Sequence, residues 1–471
     1  MPLPAPRGRQ ADVVFMDVVP QTVVLGTAGT GKSLMAVHRA ARLANPHTTD
    51  SGPTVLITFN KALCSYLQSF DGDGTALHNV ETVNFHKLAR AICVDNGAWP
   101  SGWVNIAQHQ RRASLVERAV DLVNDGGDRP ATLAKPTLFF IDEFDWILGL
   151  GIKDETSYQV AERVGRSNPV QRGAPRSLIW QAFQQYSELL KQSDFEDDWP
   201  GLTIRLRSVA ATSDPTFEFT HIVVDEFQDL TPEAIRALAD LVPVGGSLTL
   251  FGDHGQQIYG SRMSWRRLGL HRPERIDFVD NFRNSTAIAR LAIAMARQEF
   301  LTDIEDLVEP VAPDAPGDRP VLVDCVGVTE AAFVVERARA FARNQRVGLL
   351  FRTHALRDEL VAGFDDGEVD LVDGDRPAWP TGPGITATTY HSAKGLEFDT
   401  VILPQLSAAT MPDPDGVEAF GTAESMAREG RLLYVGITRA RSNLLMTHTG
   451  PPTPLLPEAA LTDGTVQVVQ R

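Results

Sequence analysis

A glycine-rich segment near the N-terminus constrains the fold of this chain more than any other feature. It reads Gly26-Thr-Ala-Gly-Thr-Gly-Lys32-Ser33, follows the apolar run Thr22 to Leu25, and opens the helix-like stretch Ser33 to Leu43. Glycines in such a loop let backbone N–H groups turn onto phosphate oxygens, and the N-terminus of the following helix favours negative charge. The sequence therefore predicts a phosphate-binding loop made of Gly26, Thr27, Ala28, Gly29, Thr30, Gly31, Lys32 and Ser33.

Short β-type runs recur along the chain, and each is followed by a turn and a helix-like stretch. They are Thr22 to Leu25, Val55 to Phe59, His221 to Val224, Ser247 to Phe251, Arg346 to Phe351 and Thr400 to Leu403. This alternation predicts α/β architecture with parallel sheets and functional groups at the carboxyl ends of strands. The run from Ala91 to Asp214 has helical spacing instead, as in Leu178 to Leu190, so we interpret it as a mainly helical insertion.

The phosphate-binding loop needs a metal partner, which the run Ile222-Val-Val-Asp225-Glu226 can supply. We expect Lys32 to reach the β- and γ-phosphates of ATP, and Ser33 and Asp225 to hold Mg²⁺. Glu226 is then placed to polarise the attacking water. ATP and Mg²⁺ are therefore the expected substrate and cofactor.

A second acidic run competes with this assignment. Phe139-Phe-Ile-Asp142-Glu143-Phe-Asp145 also ends an apolar stretch in acids, and the local pattern alone does not separate the two. We favour Asp225 and Glu226, because Gln228-Asp229 follows them and a further strand ends in Gly252-Asp253. We expect Asp142 and Glu143 to form an exposed acidic face of an insertion helix.

Overall charge and cysteine content narrow the class of protein. The formal net charge is −16, so any nucleic-acid groove has to be a local basic patch. Cys64, Cys93 and Cys325 form no close pair, which argues against a disulfide framework or a metal cluster. The N-terminus has no signal-type apolar stretch and no apolar run reaches the roughly 18 residues that span a bilayer. We therefore expect a cytoplasmic protein with no membrane partner.

Several segments, taken in order, resemble the UvrD/Rep/PcrA-like branch of superfamily 1 DNA helicases across nearly the whole chain. The segments are Gln10, Asp225-Glu-Phe-Gln228-Asp, Gly252-Asp253-His-Gly-Gln256-Gln-Ile-Tyr259-Gly-Ser-Arg262, Asn281-Phe282-Arg283-Asn-Ser, Thr389-Tyr-His391-Ser-Ala-Lys394-Gly395-Leu-Glu397-Phe and Tyr434-Val-Gly-Ile-Thr438-Arg439-Ala. An ordered set of this kind is far more specific than the glycine loop by itself. The resemblance implies two RecA-like motor domains with parallel sheets, and a nucleotide in the cleft between them.

The resemblance also implies roles for residues around the nucleotide. They are Gln10 for reading adenine, Phe282 for stacking on it, Glu397 for the ribose, Gln228 for sensing the γ-phosphate, Gln256 for coupling hydrolysis to DNA, and Arg283 and Arg439 as arginine fingers. Arginine suits the last role because its planar, permanent charge matches the charge that accumulates on the γ-phosphate oxygens.

Polar and aromatic residues follow two strand-like runs and make a candidate DNA surface. Asn60 and Lys61 follow one run, and Phe85 and His86 follow another. The resemblance assigns single-stranded DNA contacts to these residues and to Tyr259, Arg262, Thr389, His391 and Lys394. Aromatic stacking of bases, at about 1–3 kcal/mol each, is how sequence-independent grooves hold a strand. Phe85 as a buried core residue is an equal alternative.

Two features leave the DNA surface open. The family has an aromatic residue just before the arginine of its third motif, and here Ser261 occupies that position. Arginines of the insertion, namely Arg163, Arg166, Arg172 and Arg176, fit a DNA groove and a solvated face equally well.

The expected domain order follows from these segments. Residues 1–90 and 215–275 form the first motor domain, residues 91–214 the helical insertion, and residues 276–471 the second motor domain. The short stretch between Ser285 and Ile385 leaves no room for a sizeable second accessory domain.

We expect an ATP-dependent helicase or translocase that moves 3′ to 5′ on single-stranded DNA and unwinds tailed duplexes, in repair, recombination or phage defence. One alternative is a nucleotide-switched, DNA-sensing subunit that regulates a partner nuclease and unwinds little alone. RNA as the substrate also stays open. A small-molecule kinase is disfavoured, since it has no use for the set Gln228, Gln256, Arg283 and Arg439.

Overall fold

The computed structural model describes residues 5–471 except 7, 27–28, 59–78, 103, 125–127, 164–165, 167–168, 213–214, 254–267, 269, 279–283, 302–316 and 373–381. Two parallel sheets dominate these residues, and helices cover both faces of each sheet. The architecture confirms the predicted class, which is mixed α/β with two RecA-like units and a mainly helical insertion in the first.

The first sheet has six strands in the order β3-β2-β6-β7-β1-β8. The strands are β1 Gln21–Gly26, β2 Thr54–Thr58, β3 Val80–Asn84, β6 His221–Asp225, β7 Ser247–Gly252 and β8 Glu274–Phe278. Strands β2, β6 and β7 are buried at every residue, as expected for strands covered on both faces. All neighbours pair in parallel, so every strand ends at the same edge of the sheet.

The second sheet has seven strands in the order β11-β12-β10-β13-β14-β9-β15, and all of them are parallel. The strands are β9 Val321–Asp324, β10 Arg346–Phe351, β11 Val369–Leu371, β12 Gly384–Thr389, β13 Phe398–Leu403, β14 Ala440–His448 and β15 Gln467–Gln470. All six strands expected from the sequence are present in the two sheets, within two residues at each end.

Fifteen helices are described. They are α1 Arg9–Phe15, α2 Lys32–Leu43, α3 Phe85–Asp95, α4 His109–Val123, α5 Thr137–Leu150, α6 Glu155–Val160, α7 Ala174–Lys191, α8 Trp199–Ala210, α9 Pro232–Leu241, α10 Thr286–Ala296, α11 Glu330–Ala342, α12 His354–Val361, α13 Pro414–Phe420, α14 Thr422–Thr438 and α15 Glu458–Thr462. Several begin at a side chain that accepts a hydrogen bond from the first turn, for example Asn84 before α3 and Asp198 before α8. Among the residues described, no helix combines the length and apolar character needed to cross a membrane.

The insertion has its own hydrophobic core, built by α4, α5, α6 and α7. Strands β4 Ile106–Ala107 and β5 Asp197–Asp198 pair at its base. Helices α3 and α8 pack instead into the core of the first sheet. The compact helical unit therefore starts after α3 and ends before α8, inside the run 91–214.

A buried ion cluster joins the insertion to the second sheet's helices. Asp142 on α5 accepts hydrogen bonds from Arg163, Arg166 and Arg428, and Arg428 lies on α14. Arg166 also pairs with Glu143. The expectation of an exposed acidic face was therefore wrong, since Glu143 is 2% exposed. Burial opposes ionisation of Asp142, but the three arginines hold its pKa below the usual range.

The same contacts decide the position of the insertion arginines. Arg176 is buried and donates to the backbone oxygens of Tyr158 and Ala161. Arg166 is buried in the ion cluster, whereas Arg172 is exposed. Neither a solvated face nor a DNA groove describes Arg163, Arg166 and Arg176, because all three are used within the protein.

Removing the Asp142 charge should destabilise the insertion strongly. The Asp142→Asn variant removes one carboxylate partner from each of three arginines. Removing one member of a buried ion pair costs about 3–5 kcal/mol. We expect the unfolding temperature, followed by tryptophan fluorescence, to fall by roughly 5–10 °C.

The matched control is Asp121→Asn on α4. Asp121 is 59% exposed and pairs with the half-exposed Arg129, and such surface pairs contribute about 0–1 kcal/mol. Equal, small effects of the two substitutions would contradict a structural role for the cluster.

Candidate active site

The glycine-rich loop connects β1 to α2 as the sequence predicts. Gly29 and Gly31 have φ of 85° and 81°, in the left-handed region that favours glycine. A Cβ atom on Gly26 would lie 2.6 Å from Thr30 Oγ1. Lys32 is buried, and its Nζ donates to the backbone oxygen of Gly26 at 2.7 Å. Thr27 and Ala28 lie outside the described residues, so the described part of the loop is Gly26 and Gly29 to Ser33.

Gln10 lies directly against this loop. Its Nε2 donates to the backbone oxygen of Thr30 at 2.9 Å, and a Cβ on Gly31 would come within 2.6 Å of the same nitrogen. Arg39 on α2 donates to the backbone oxygens of Val14 and Met16, which holds the end of α1 on the loop's helix. The fold thus fixes Gln10 beside the phosphate-binding loop.

Asp225 is the last residue of β6. Strand β7 lies between β6 and β1, and all three strands end at the same edge of the sheet. It is 0% exposed, and neither carboxylate oxygen has a full hydrogen bond within the described part of the chain. Burial, and then the charge of Glu226, raises the pKa of Asp225 to about 7, while Ser33 and Lys32 oppose the rise. A buried, unsatisfied carboxylate near a hydroxyl is an oxygen donor set that fits Mg²⁺.

Glu226 is held in an unusual backbone conformation by its neighbours. Its φ is 53°, in the left-handed region that is uncommon for residues other than glycine. Gln228 donates through Nε2 to the Glu226 carboxylate and accepts from the Asp253 amide at 3.0 Å. Asp253 in turn lies 3.6 Å from Lys32 Nζ. A continuous polar chain therefore links the ends of β6 and β7 to the phosphate-binding loop.

Cations from the second sheet reach the same place. Lys394 Nζ contacts Asp229 Oδ1 at 2.5 Å, and both side chains are almost fully buried. Arg439 is 1% exposed and donates to the backbone oxygens of Val435 and Leu396. Burial alone would raise the pKa of Glu226, but Lys394, Lys32 and Arg439 together lower it. Both sheets thus contribute charge around Glu226.

The residues expected to contact DNA differ in how deeply they are buried and in the partners that they already have. Phe85 is 2% exposed and belongs to the first sheet's core, whereas His86 is half-buried. Thr389 is buried and accepts from the Ser392 amide. Lys394 is engaged with Asp229, so a direct DNA contact would require that ion pair to open.

His391 contributes no positive charge near neutral pH. Burial, then Arg352 and Lys394, lowers the pKa of His391 to about 3. It can therefore serve DNA as a neutral hydrogen-bonding group only.

Several expected site residues lie outside the described part of the chain. They are Thr27, Ala28, Asn60, Lys61, Gln256, Tyr259, Ser261, Arg262, Phe282 and Arg283. Glu397 is described; it pairs with Arg441 at 3.2 Å.

Comparison with known proteins identifies the family. A family model described as the UvrD/REP helicase N-terminal domain matches residues 9–268, which is more than half of the chain. A second, the UvrD-like helicase C-terminal domain, matches residues 367–450. The chain belongs to the UvrD-like helicase family.

Two individual relatives are similar over most of their own length, and a third over 23% of it. The ATP-dependent DNA helicase UvrD2 of Mycobacterium tuberculosis is 22% identical over 90% of this chain and 76% of its own length. DNA helicase IV of Escherichia coli K12 is 22% identical over 89% of this chain and 65% of its own length. A probable DNA helicase II homologue of Rickettsia conorii is 29% identical over 32% of this chain.

Two acids of this UvrD-like site received no role from the sequence. The sequence motifs contain Asp229 and Asp253, but no separate role was predicted for either. In the structure Asp229 pairs with Lys394, and Asp253 lies 3.6 Å from Lys32 Nζ. The available signal was their position at the ends of strands, since both follow apolar runs on the sheet edge that carries the glycine loop. Their lysine partners are distant in sequence, so no local pattern identifies the pairs.

Lys32 and Arg439 should both be required for ATP turnover. Lys32→Ala and Arg439→Ala each remove a cation from the buried site, and we expect steady-state ATP hydrolysis to fall at least about 100-fold. Lys191→Ala, a change at a 75%-exposed side chain, is the control and should hydrolyse ATP normally. Normal turnover in either site variant, with folding verified by circular dichroism, would refute the site.

Gln10 should select adenine. Gln10→Ala removes a side chain fixed beside the loop, so we expect the ratio of kcat/KM for ATP to that for GTP to fall about 10-fold. Gln192→Ala, a change at the exposed glutamine that follows α7, should leave the ratio unchanged. If Gln10→Ala lowers kcat/KM for ATP and for GTP by the same factor, Gln10 has a structural role and does not select the base.

Proposed function

We propose that this chain is an ATP-dependent DNA helicase that moves along single-stranded DNA. The observation that carries the proposal is the set of cations around Glu226, because Lys32 comes from the first sheet while Lys394 and Arg439 come from the second. A site shared between two parallel sheets couples hydrolysis to their relative position. The names of the mycobacterial and Escherichia coli relatives support the same activity.

The residues around the phosphates fit ATP and Mg²⁺. Lys32 binds the β- and γ-phosphates, and Ser33 with Asp225 holds the metal. Mg²⁺ supplies charge neutralisation and orientation of the phosphate oxygens when it is bound. Gln10 hydrogen-bonds the adenine edge, Phe282 stacks on the base, and Glu397 contacts the ribose.

Hydrolysis depends on groups that act on the γ-phosphate and the attacking water. Glu226 accepts a proton from the water, and the lowered pKa keeps it ionised for that purpose. Gln228 and Gln256 sense the γ-phosphate and relay its loss, while Arg283 and Arg439 stabilise the charge that develops on it. The Lys394–Asp229 pair is a point where the two sheets are joined during the cycle.

The direction of movement, 3′ to 5′, is proposed from the resemblance of the sequence to the UvrD/Rep/PcrA-like branch. The strand contacts are proposed for Asn60, Lys61, His86, Tyr259 and Arg262 at the first sheet. Thr389 and His391 are proposed for the second. In this arrangement, closing and opening of the nucleotide cleft alternates the grip of the two sheets on DNA. Repair, recombination and phage defence are all compatible roles.

A regulatory function is the second candidate. Two of the residues expected from the sequence to contact DNA, Lys394 and Thr389, are buried, and Ser261 replaces an aromatic residue of the family's third motif. These features favour a nucleotide-switched subunit that senses DNA and controls a partner nuclease, with little unwinding of its own.

Strand displacement on matched duplexes tests the two functions. The purified chain, with ATP and Mg²⁺, should release the labelled strand from a duplex with a 3′ single-stranded tail and not from one with a 5′ tail. Lys32→Ala is the control and should release neither.

The other outcomes are equally informative. Release only from the 5′ tail would contradict the proposed direction. If the chain releases the strand from neither duplex but still hydrolyses ATP in response to DNA, the regulatory function is favoured over the helicase function.

A further inference from the structure

A cavity of about 760 Å³ lies where the insertion, the first sheet and the second sheet meet. His86 from the first turn of α3 and Trp199 from the start of α8 line it on the side of the first sheet. Trp146 of the insertion helix α5 lines a second side, and His391 lines it on the side of the second sheet. Two residues proposed to contact DNA, His86 and His391, therefore line the same open cavity.

The charged groups on the cavity wall are largely neutralised by one another. Arg112 pairs with Asp145 and Asp198, and Arg352 pairs with Glu429. Much of the remaining wall is apolar or aromatic, including Leu138, Trp146, Trp199 and Phe420, and it also carries the charged side chains Asp142, Arg163, Asp229, Asp413 and Arg428. A surface of this kind suits a flat, apolar ligand such as a nucleobase better than a phosphate group.

Trp199 is the most exposed tryptophan on this wall. Its ring centroid lies 4.8 Å from that of His86, with 48° between the ring planes. The indole is half-buried against the core of the first sheet, and its Nε1 donates to Gln108 Oε1 at 3.2 Å. The ring is thus held along one edge while it lines the cavity.

A buried polar network fixes the backbone that carries Trp199. The preceding residue, Asp198, caps α8 by accepting from the Gly201 amide at 2.7 Å. Its other carboxylate oxygen accepts from Tyr186 Oη at 2.6 Å and from Arg112 Nε at 3.1 Å. A stacking residue held on such a support loses little conformational entropy on binding.

A second tryptophan lines the same cavity. Trp146 is 5% exposed, and its Nε1 has no hydrogen-bond acceptor among the described residues. A buried N–H without an acceptor costs about 1–3 kcal/mol. The nitrogen itself has almost no accessible surface, so Trp146 contributes its ring and not its N–H to the cavity wall.

We propose that Trp199 is a base-stacking residue of the single-stranded DNA path. The assignment rests on the proposed DNA-translocating function and supplies the aromatic platform that Ser261 lacks. It gives the helical insertion a direct part in gripping the strand.

The test compares two oligonucleotides that differ only in their bases. Binding of an oligo-dT strand and of an abasic strand of equal length is measured by fluorescence anisotropy. Trp199→Ala should raise the Kd for oligo-dT about 10-fold and leave the Kd for the abasic strand unchanged, because only the dT strand has bases to stack. Trp199→Phe keeps an aromatic face and should stay within about threefold of the wild type on oligo-dT.

Controls separate stacking from folding and from the proposed function. Leu122→Ala changes a 55%-exposed side chain on α4 and should bind both strands normally. A Trp199→Ala variant that weakens both strands equally would show a structural tryptophan, and one that weakens neither would exclude Trp199 from the path. In either case strand displacement by the wild type would leave the proposed function standing. A wild type that binds no single-stranded DNA would overturn both proposals.

Discussion

Three carboxylates at the end of β6 have to be stabilised in an almost dry environment. Asp225, Glu226 and Asp229 are each 5% exposed or less, and an uncompensated buried charge costs several kcal/mol. The first sheet offers Lys32 near this position, and the second sheet adds Lys394 and Arg439. Because the carboxylates draw cations from both sides, the electrostatics of the site favour contact between the two sheets.

Parallel topology explains why so many groups converge there. All strands of the first sheet end at one edge, so the glycine loop after β1, Asp225 after β6 and Asp253 after β7 become neighbours although they are distant in sequence. The polar chain through Gln228 then connects them. The same edge continues to His86 after β3, which lines the cavity under the insertion. Nucleotide and strand sites are therefore parts of one sheet edge.

Sequence alone predicted what depends on local patterns. The strand, loop and helix around Lys32, the strand ending at Asp225, and the helical character of the insertion all follow from short-range periodicity and glycine placement. Partners that are distant in the chain were not predictable in this way. The run ending in Asp142 and Glu143 was expected on an insertion helix and forms α5, but its expected exposure was wrong. Its charges are buried by Arg428, a residue far along the chain. Lys394 resembled a DNA contact, and its pairing with Asp229 depends on how the two sheets meet.

The central claim, that one ATPase site is assembled across both sheets through the Lys394–Asp229 contact, is tested most directly by a double-mutant cycle on kcat for ATP hydrolysis. Asp229→Asn, Lys394→Met and the double variant are compared with the wild type. If the two residues act as one cross-sheet contact, the double variant should be no slower than Lys394→Met alone. Independent effects, in which the double variant shows the product of the two single losses, would contradict the account.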